Sequence, residues 1–199
     1  MCKTTSISLV LLFLFSGMLS AQKEEFKRYS EIAVKGGVYI KDHQVNEPKD
    51  GYGLSYPFIG TAFGLQFIHM EQKNLGLLVE ANYNKESYSL DNVSTSASSI
   101  QVPLLTHVAF DIGKTTLAFN AGPFITAYLS KPEGYVLDKD ILYGMAGGLN
   151  YSIPFGKVIL GLQGRYYYTL PLNSDDYNGS IRGTYGEVGI TLGLRNYKD

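Results

Sequence analysis

Hydrophobic and polar residues alternate with a period of two along most of the chain. This is the pattern of a β-strand whose two faces meet different surroundings. No segment keeps the 3.6-residue period of an amphipathic helix. Eight strands are predicted: Glu31–Ile40, Gly60–Met70, Leu75–Asn84, Ser99–Phe110, Thr115–Tyr128, Ile141–Ile153, Lys157–Thr169 and Thr184–Arg195.

The connections between these segments alternate in length. Short turns with the sequences EQKN, DIGK and PFGK follow the second, fourth and sixth segments, and longer polar connections follow the others. Tight turns at one end and long loops at the other are typical of an outer-membrane barrel. We therefore predict an all-β fold, an eight-stranded antiparallel up-and-down transmembrane β-barrel over residues 22–199, with both termini on the periplasmic, tight-turn side.

Four charged residues, Lys35, Glu80, Arg165 and Glu187, fall on the polar faces of the predicted strands. The lumen of an eight-stranded barrel is only wide enough to be filled by side chains. These residues are therefore expected to form a buried polar network that blocks the lumen; the rival interpretation is proton relay or ion conduction. The apolar faces would meet lipid, since about 11 residues tilted by about 40° span roughly 28 Å.

The same alternation is also compatible with the opposite arrangement. A soluble, secreted, lipocalin-like carrier has its apolar faces inside the barrel. It would bind an apolar ligand in a cavity lined by Phe63, Val79 and Leu160.

The composition adds 22 Gly, 16 Tyr and no Trp. Tyrosines on the apolar faces, Tyr83, Tyr143 and Tyr168, are expected to form an aromatic girdle at the lipid headgroups. Tyrosines assigned to the long loops are candidates for a recognition surface, because Tyr gives rigid, amphipathic contact area: Tyr52, Tyr56, Tyr88, Tyr135 and Tyr177.

Residues 1–21 have the pattern of a secretory signal peptide. Lys3 precedes a short apolar run, and small residues lead up to Ala21. The only cysteine, Cys2, lies in this segment. The mature chain is therefore expected to have no disulfide and no thiolate nucleophile.

Candidate chemistry is sparse. His43, His69 and His107 show no metal-binding spacing, so no metal, cofactor or catalytic residue is assigned, and the chain is not expected to be an enzyme. An outer-membrane hydrolase remains an alternative, on the presence of His107 and several carboxylates. With 17 Lys+Arg against 18 Asp+Glu, the charge is nearly balanced, so nucleic acid is not an expected partner.

Several segments carry a resemblance to known proteins: IQVPLLTHVAF, NAGPFITAYL, YGMAGGLNYSIPFGKVILGLQGRYYYTLPLN and EVGITLGL. The chain resembles the small outer-membrane β-barrel proteins of Bacteroidetes, the PorT-like or outer membrane protein beta-barrel domain family. The resemblance implies export to the cell outer membrane and, for some members, a role in secretion.

The expected function is therefore that of a small barrel with a filled lumen and no chemistry of its own. It would act through its extracellular loops or a periplasmic partner, in a structural, recognition or secretion-associated role. Its expected partners are outer-membrane lipid, the barrel-assembly machinery during biogenesis, and an envelope or secretion protein.

Overall fold

The structure, a computed structural model, describes residues 26–45, 54–90, 93–130, 140–170, 172–173 and 180–198. The signal peptide expected at residues 1–21 lies outside these ranges. Within them, no helix has both the length and the apolar character needed to cross a membrane.

The strands form one antiparallel sheet that closes on itself. Each long strand pairs with the next one along the chain, and the last pairs back with the first, from Tyr29 opposite Tyr197 to Val45 opposite Ile181. A closed barrel leaves no unpaired strand edge. The predicted eight-stranded barrel is thus confirmed, with a two-residue strand, β8, beside its last member. The strands are β1 Tyr29–Val45, β2 Leu54–Met70, β3 Leu75–Leu90, β4 Val93–Ile112, β5 Thr115–Ser130, β6 Ile141–Phe155, β7 Val158–Thr169, β8 Leu172–Asn173 and β9 Ser180–Tyr197.

The apolar faces of the strands point away from the barrel axis. On β7, Leu162 is 54% exposed, whereas its neighbour Gln163 is buried. The lipocalin-like alternative is therefore wrong: Phe63 and Leu160 are 62% and 45% exposed on the outer face, and Val79 is also on that face. Charged and amide side chains occupy the interior where an apolar ligand would have to bind.

The strands are longer than predicted at the end opposite the tight turns. β1 continues to Val45, and β2 and β4 begin at Leu54 and Val93. Only residues 91–92 separate β3 from β4, so the connection predicted there to be long is short. The sequence pattern does not predict these extensions because the outward positions become polar there, as at Ser87 and Ser96, while backbone pairing continues.

Two of the tight turns share one construction. Gly113 and Gly156 have φ values of 63° and 68°, and each is followed by a lysine before the next strand begins. A two-residue hairpin turn with positive φ at its first position matches the twist of the flanking strands, and glycine adopts that conformation without steric cost. These turns fix the register of the β4–β5 and β6–β7 hairpins.

The interior is not polar throughout. Near the tight-turn end, large apolar side chains are fully or almost fully buried on the inner face: Ile68, Met70, Leu78, Leu105 and Ile159. The alternation pattern predicts mainly polar residues and glycines on the inner faces and does not reveal this apolar layer.

Candidate functional site

The four charged residues predicted for the lumen meet in one layer across the barrel. Lys35 lies on β1, Glu80 on β3, Arg165 on β7 and Glu187 on β9, and all four are buried. Each occupies an inward-pointing position because strand side chains alternate between the two faces of a sheet. The layer holds two cations and two carboxylates, so its formal charge is balanced.

Three ion pairs join these residues into a chain. Lys35 Nζ lies 3.0 Å from Glu80 Oε2 and 2.7 Å from Glu187 Oε1. Arg165 Nη1 lies 2.9 Å from Glu80 Oε1. Because β3 and β7 are four strands apart in an eight-stranded ring, the Arg165–Glu80 pair connects opposite walls of the barrel. The chain of ion pairs therefore spans the lumen.

Neutral side chains complete the coordination of the two carboxylates. Asn82 Nδ2 donates to Glu80 Oε2 at 3.0 Å. Gln163 Nε2 and the Tyr167 hydroxyl donate to the two oxygens of Glu187, each at 3.1 Å. A buried charge is tolerated when it is paired and hydrogen-bonded, and both carboxylates meet that condition.

The histidine considered for hydrolysis, His107, belongs to this polar interior. It is buried, and its Nδ1 lies 2.7 Å from Asn120 Oδ1. Asn120 donates in turn to Asn150, which also accepts from Arg165 Nη2 at 3.2 Å. His107 thus connects to the charged layer through amides, and it lies buried inside the barrel.

An aromatic layer covers the charged layer on the side away from the tight turns. The rings of Tyr167 and Tyr185 stack with centroids 4.3 Å apart, and Phe124 meets Tyr167 edge-on at 5.3 Å. Tyr39 packs against Tyr185 at 5.7 Å, and Gln101 donates to the Tyr185 hydroxyl.

Small polar cavities lie on either side of these layers. One of about 20 Å³, lined in part by Glu31, His107 and Arg195, faces the tight-turn end, and one of about 10 Å³, lined in part by Tyr39 and Glu86, faces the other end. Each has room for about one water molecule. Through the part of the lumen that the structure describes, ion pairs and aromatic rings separate these two cavities.

The tyrosines predicted from the sequence to form a girdle or a recognition surface fall into three groups. Tyr83, Tyr143 and Tyr168 lie on the outer face of the barrel, where the girdle was expected. Tyr56 and Tyr88, assigned to loops, lie instead on the extensions of β2 and β3, with side chains outside the described set. The remaining loop tyrosines, Tyr52, Tyr135 and Tyr177, lie outside the described residues.

A second polar cluster, which the sequence analysis missed, lies on the outer face at the tight-turn end. Ser30 Oγ is 2.9 Å from His69 Nδ1, and His69 Nε2 is 3.3 Å from Glu71 Oε2. Arg28 Nη1 lies 3.0 Å from the other oxygen of Glu71. No local motif revealed this cluster, because Ser30 and His69 become neighbours only through the pairing of β1 with β2. Among the described residues, no group of three or more His, Cys, Asp or Glu side chains is arranged to hold a metal.

Comparisons with known proteins agree with this architecture. The family model described as "Outer membrane protein beta-barrel domain" matches residues 20–174. The outer membrane protein OprG from Pseudomonas aeruginosa is 13% identical, covers 86% of this chain and 98% of its own, and superimposes with a TM-score of 0.53. At that identity the likeness shows the fold alone.

Other solved barrels are similar at lower scores. Neisserial surface protein A is 12% identical over 81% of this chain and 96% of its own, with a TM-score of 0.49. The outer membrane enzyme PagL is 11% identical over 76% of this chain and 97% of its own, with a TM-score of 0.47. No curated protein matches the sequence.

Proposed function

Because the chain belongs to the outer membrane protein beta-barrel domain family, we propose that it is a small outer-membrane barrel with a closed lumen and no chemistry of its own. Its place in the outer membrane follows from the family and from the barrel fold. Its work is done at the two ends of the barrel, through the extracellular side or a periplasmic partner. The role is structural, recognition or secretion-associated.

The observation that carries this proposal is the chain of ion pairs across the lumen. Arg165, Glu80, Lys35 and Glu187 occupy the cross-section with neutral formal charge, and an aromatic layer covers them. A hydrated ion would have to break these pairs and displace the rings above them. The buried charges therefore act as a plug.

On the extracellular side, the strands continue beyond the band of exposed apolar residues on the outer face, which we call the apolar belt. This continuation forms a wall of paired strands. On β1 the outward apolar residues end at Ile40, whereas pairing with β9 continues to Val45. Five further residues raise the wall by about 13 Å, given a rise of about 3.3 Å per residue and a tilt of about 40°. Tyr56 and Tyr88 belong to this wall by their strand positions. We assign recognition to it and to the loops that it supports.

The finer assignment, to the PorT-like barrels of Bacteroidetes, is supported by the sequence segments quoted above. It predicts an envelope or secretion protein as partner, in addition to outer-membrane lipid and the barrel-assembly machinery. Capture of a tagged protein from crosslinked cells tests this. Recovery of an envelope or secretion protein would support the assignment, and recovery of the assembly machinery alone would count against it.

Conductance in a planar lipid bilayer tests the closed lumen. Protein shown to be folded by its shifted gel mobility before boiling is expected to give no sustained ionic current at moderate voltage. The boiled sample controls for leakage caused by detergent or unfolded chain. Steady current steps from the folded protein alone would overturn the plug.

A hydrolase is a second candidate because of one specific observation, the contacts of His69 with Ser30 and Glu71. An imidazole between a hydroxyl and a carboxylate is the arrangement that activates a serine nucleophile. A fluorophosphonate probe tests it: an activated Ser30 would be labelled, Ser30→Ala would abolish labelling, and Ser152→Ala would leave it intact. Absence of labelling in the folded wild-type protein would remove this candidate.

A further inference from the structure

Each of the three turns at the tight-turn end of the barrel carries a lysine. Lys73 lies between β2 and β3, Lys114 between β4 and β5, and Lys157 between β6 and β7. Because one turn occurs for every two strands, these positions are spaced around the circumference. Basic residues next to the start of β1 and the end of β9 occupy the remaining quarter of the circumference. We call the whole set the basic rim: Lys27, Arg28, Lys73, Lys114, Lys157 and Lys198.

Few carboxylates offset this charge at the same end. Among the described residues there, Glu71 is paired with Arg28, and Asp111 accepts a hydrogen bond from Thr116 at 2.9 Å. Glu31 is buried and bonded to Arg195 at 3.2 Å, so that pair is neutral. Six cations against the two exposed carboxylates leave an excess of four positive charges at the described part of this end.

The basic rim lies directly against the edge of the apolar belt. Ile112 and Phe155, the last residues of β4 and β6, are 56% and 63% exposed on the outer face. Lys114 lies two positions after Ile112, Lys157 lies two positions after Phe155, and both lysines are exposed. Because the apolar belt extends as far as the turns, the hydrocarbon core of the bilayer ends at the level of the turns. The ammonium groups of long lysine side chains then lie at the level of the lipid phosphates.

We propose that the basic rim binds the phosphate groups of anionic phospholipids in the leaflet on the tight-turn side of the barrel. The contacts anchor this end at the membrane surface and fix the height of the barrel in the bilayer. The inference rests on residence in the outer membrane and is independent of the closed lumen. The ligand is inferred from charge and hydrophobicity together. The basic rim complements the phosphate of a lipid headgroup, and the adjacent apolar belt complements its acyl chains.

Unfolding in lipid vesicles tests the proposal. The urea midpoint of the mature protein is measured in vesicles of phosphatidylcholine alone and with increasing phosphatidylglycerol. The wild-type midpoint is expected to rise with the anionic fraction, and added salt should cancel the rise. Lys114→Gln combined with Lys157→Gln removes two of the four excess charges, so the rise is expected to fall to about half.

Phosphatidylcholine vesicles are the reference for each variant, so a change in intrinsic stability cancels. Lys85→Gln is the matched control, because Lys85 is exposed on β3 beyond Tyr83, toward the opposite end of the barrel. A smaller lipid-dependent rise in the double variant, with Lys85→Gln unchanged, supports the proposal. If the lipid-dependent rise of the urea midpoint is reduced equally in both variants, or in neither, the proposal is overturned. If the double variant no longer captures a protein partner from crosslinked cells, while its urea midpoint depends on anionic lipid as in the wild type, the rim binds that partner. That outcome also overturns the proposal.

Discussion

Glu80 is the residue on which the charged layer most depends. It is fully buried, and its two oxygens pair with cations from two different walls, Lys35 on β1 and Arg165 on β7. Asn82 adds a neutral donor. Loss of this one carboxylate leaves two buried cations with a single anion, Glu187, between them. The arrangement therefore makes the energetics of the lumen sensitive to one side chain.

Glu80→Gln is expected to lower the free energy of unfolding by about 3–5 kcal/mol, because it leaves buried charge without its partner. The measurement is urea unfolding in vesicles followed by circular dichroism, since the chain has no Trp to report by fluorescence.

Glu71→Gln is the matched control for this prediction. It makes the same chemical change in an exposed pair with Arg28. Exposed pairs contribute about 0–1 kcal/mol. Similar losses for the two variants would show that the charged layer is not a desolvated network.

At the scale of the element, the hairpins are defined by their turns. Gly113 and Gly156 begin two-residue turns with positive φ, each followed by a lysine that contributes to the basic rim. The turn conformation therefore sets both the strand register and the position of a charged group. In these two hairpins the fold and the proposed lipid contacts depend on the same backbone geometry.

Gly113→Ala is expected to destabilise the barrel by about 1–2 kcal/mol, because a side chain at positive φ crowds the following carbonyl oxygen. Gly164→Ala is the control, since a Cβ there meets open space and φ is ordinary. The urea midpoints of the two variants in identical vesicles provide the comparison. A larger loss for Gly164→Ala than for Gly113→Ala would contradict the role of the turn.

At the scale of the whole molecule, the barrel is turned inside out relative to a soluble protein. Apolar side chains cover its outer wall, and the interior combines an apolar layer, a charged layer and an aromatic layer. The membrane stabilises this arrangement, because lipid is as favourable to the outer wall as a protein core would be. Closure between β1 and β9 pairs the backbone groups that an open sheet would expose.

Leu162→Arg tests the lipid contact of the outer wall. Leu162 lies on the outer face of β7, midway between Val158 and Tyr166, so arginine there is expected to cost about 2–4 kcal/mol in vesicles. Phe155→Arg, at the edge of the belt, is expected to cost only about 0–1 kcal/mol. Unfolding in urea measures both, and equal small losses would mean that Leu162 does not face the bilayer interior.

Local sequence patterns are enough to assign the strand faces, the strand number and the tight turns. Period-two alternation gives each residue its side of the sheet from neighbours two positions away, and a glycine before a lysine marks a turn locally. These signals placed Lys35, Glu80, Arg165 and Glu187 inside the barrel. They also placed the tyrosines of the expected girdle outside it.

Which of these residues contact one another depends on the folded barrel. Register alone places Arg165 opposite Glu187, yet its ion pair is with Glu80 across the lumen. The Ser30–His69 contact and the buried layer of Ile68, Leu78 and Leu105 likewise depend on which strands face each other. The physical reason is that a side chain's face is fixed by the local pleat, whereas its partner is fixed by the diameter and closure of the whole barrel.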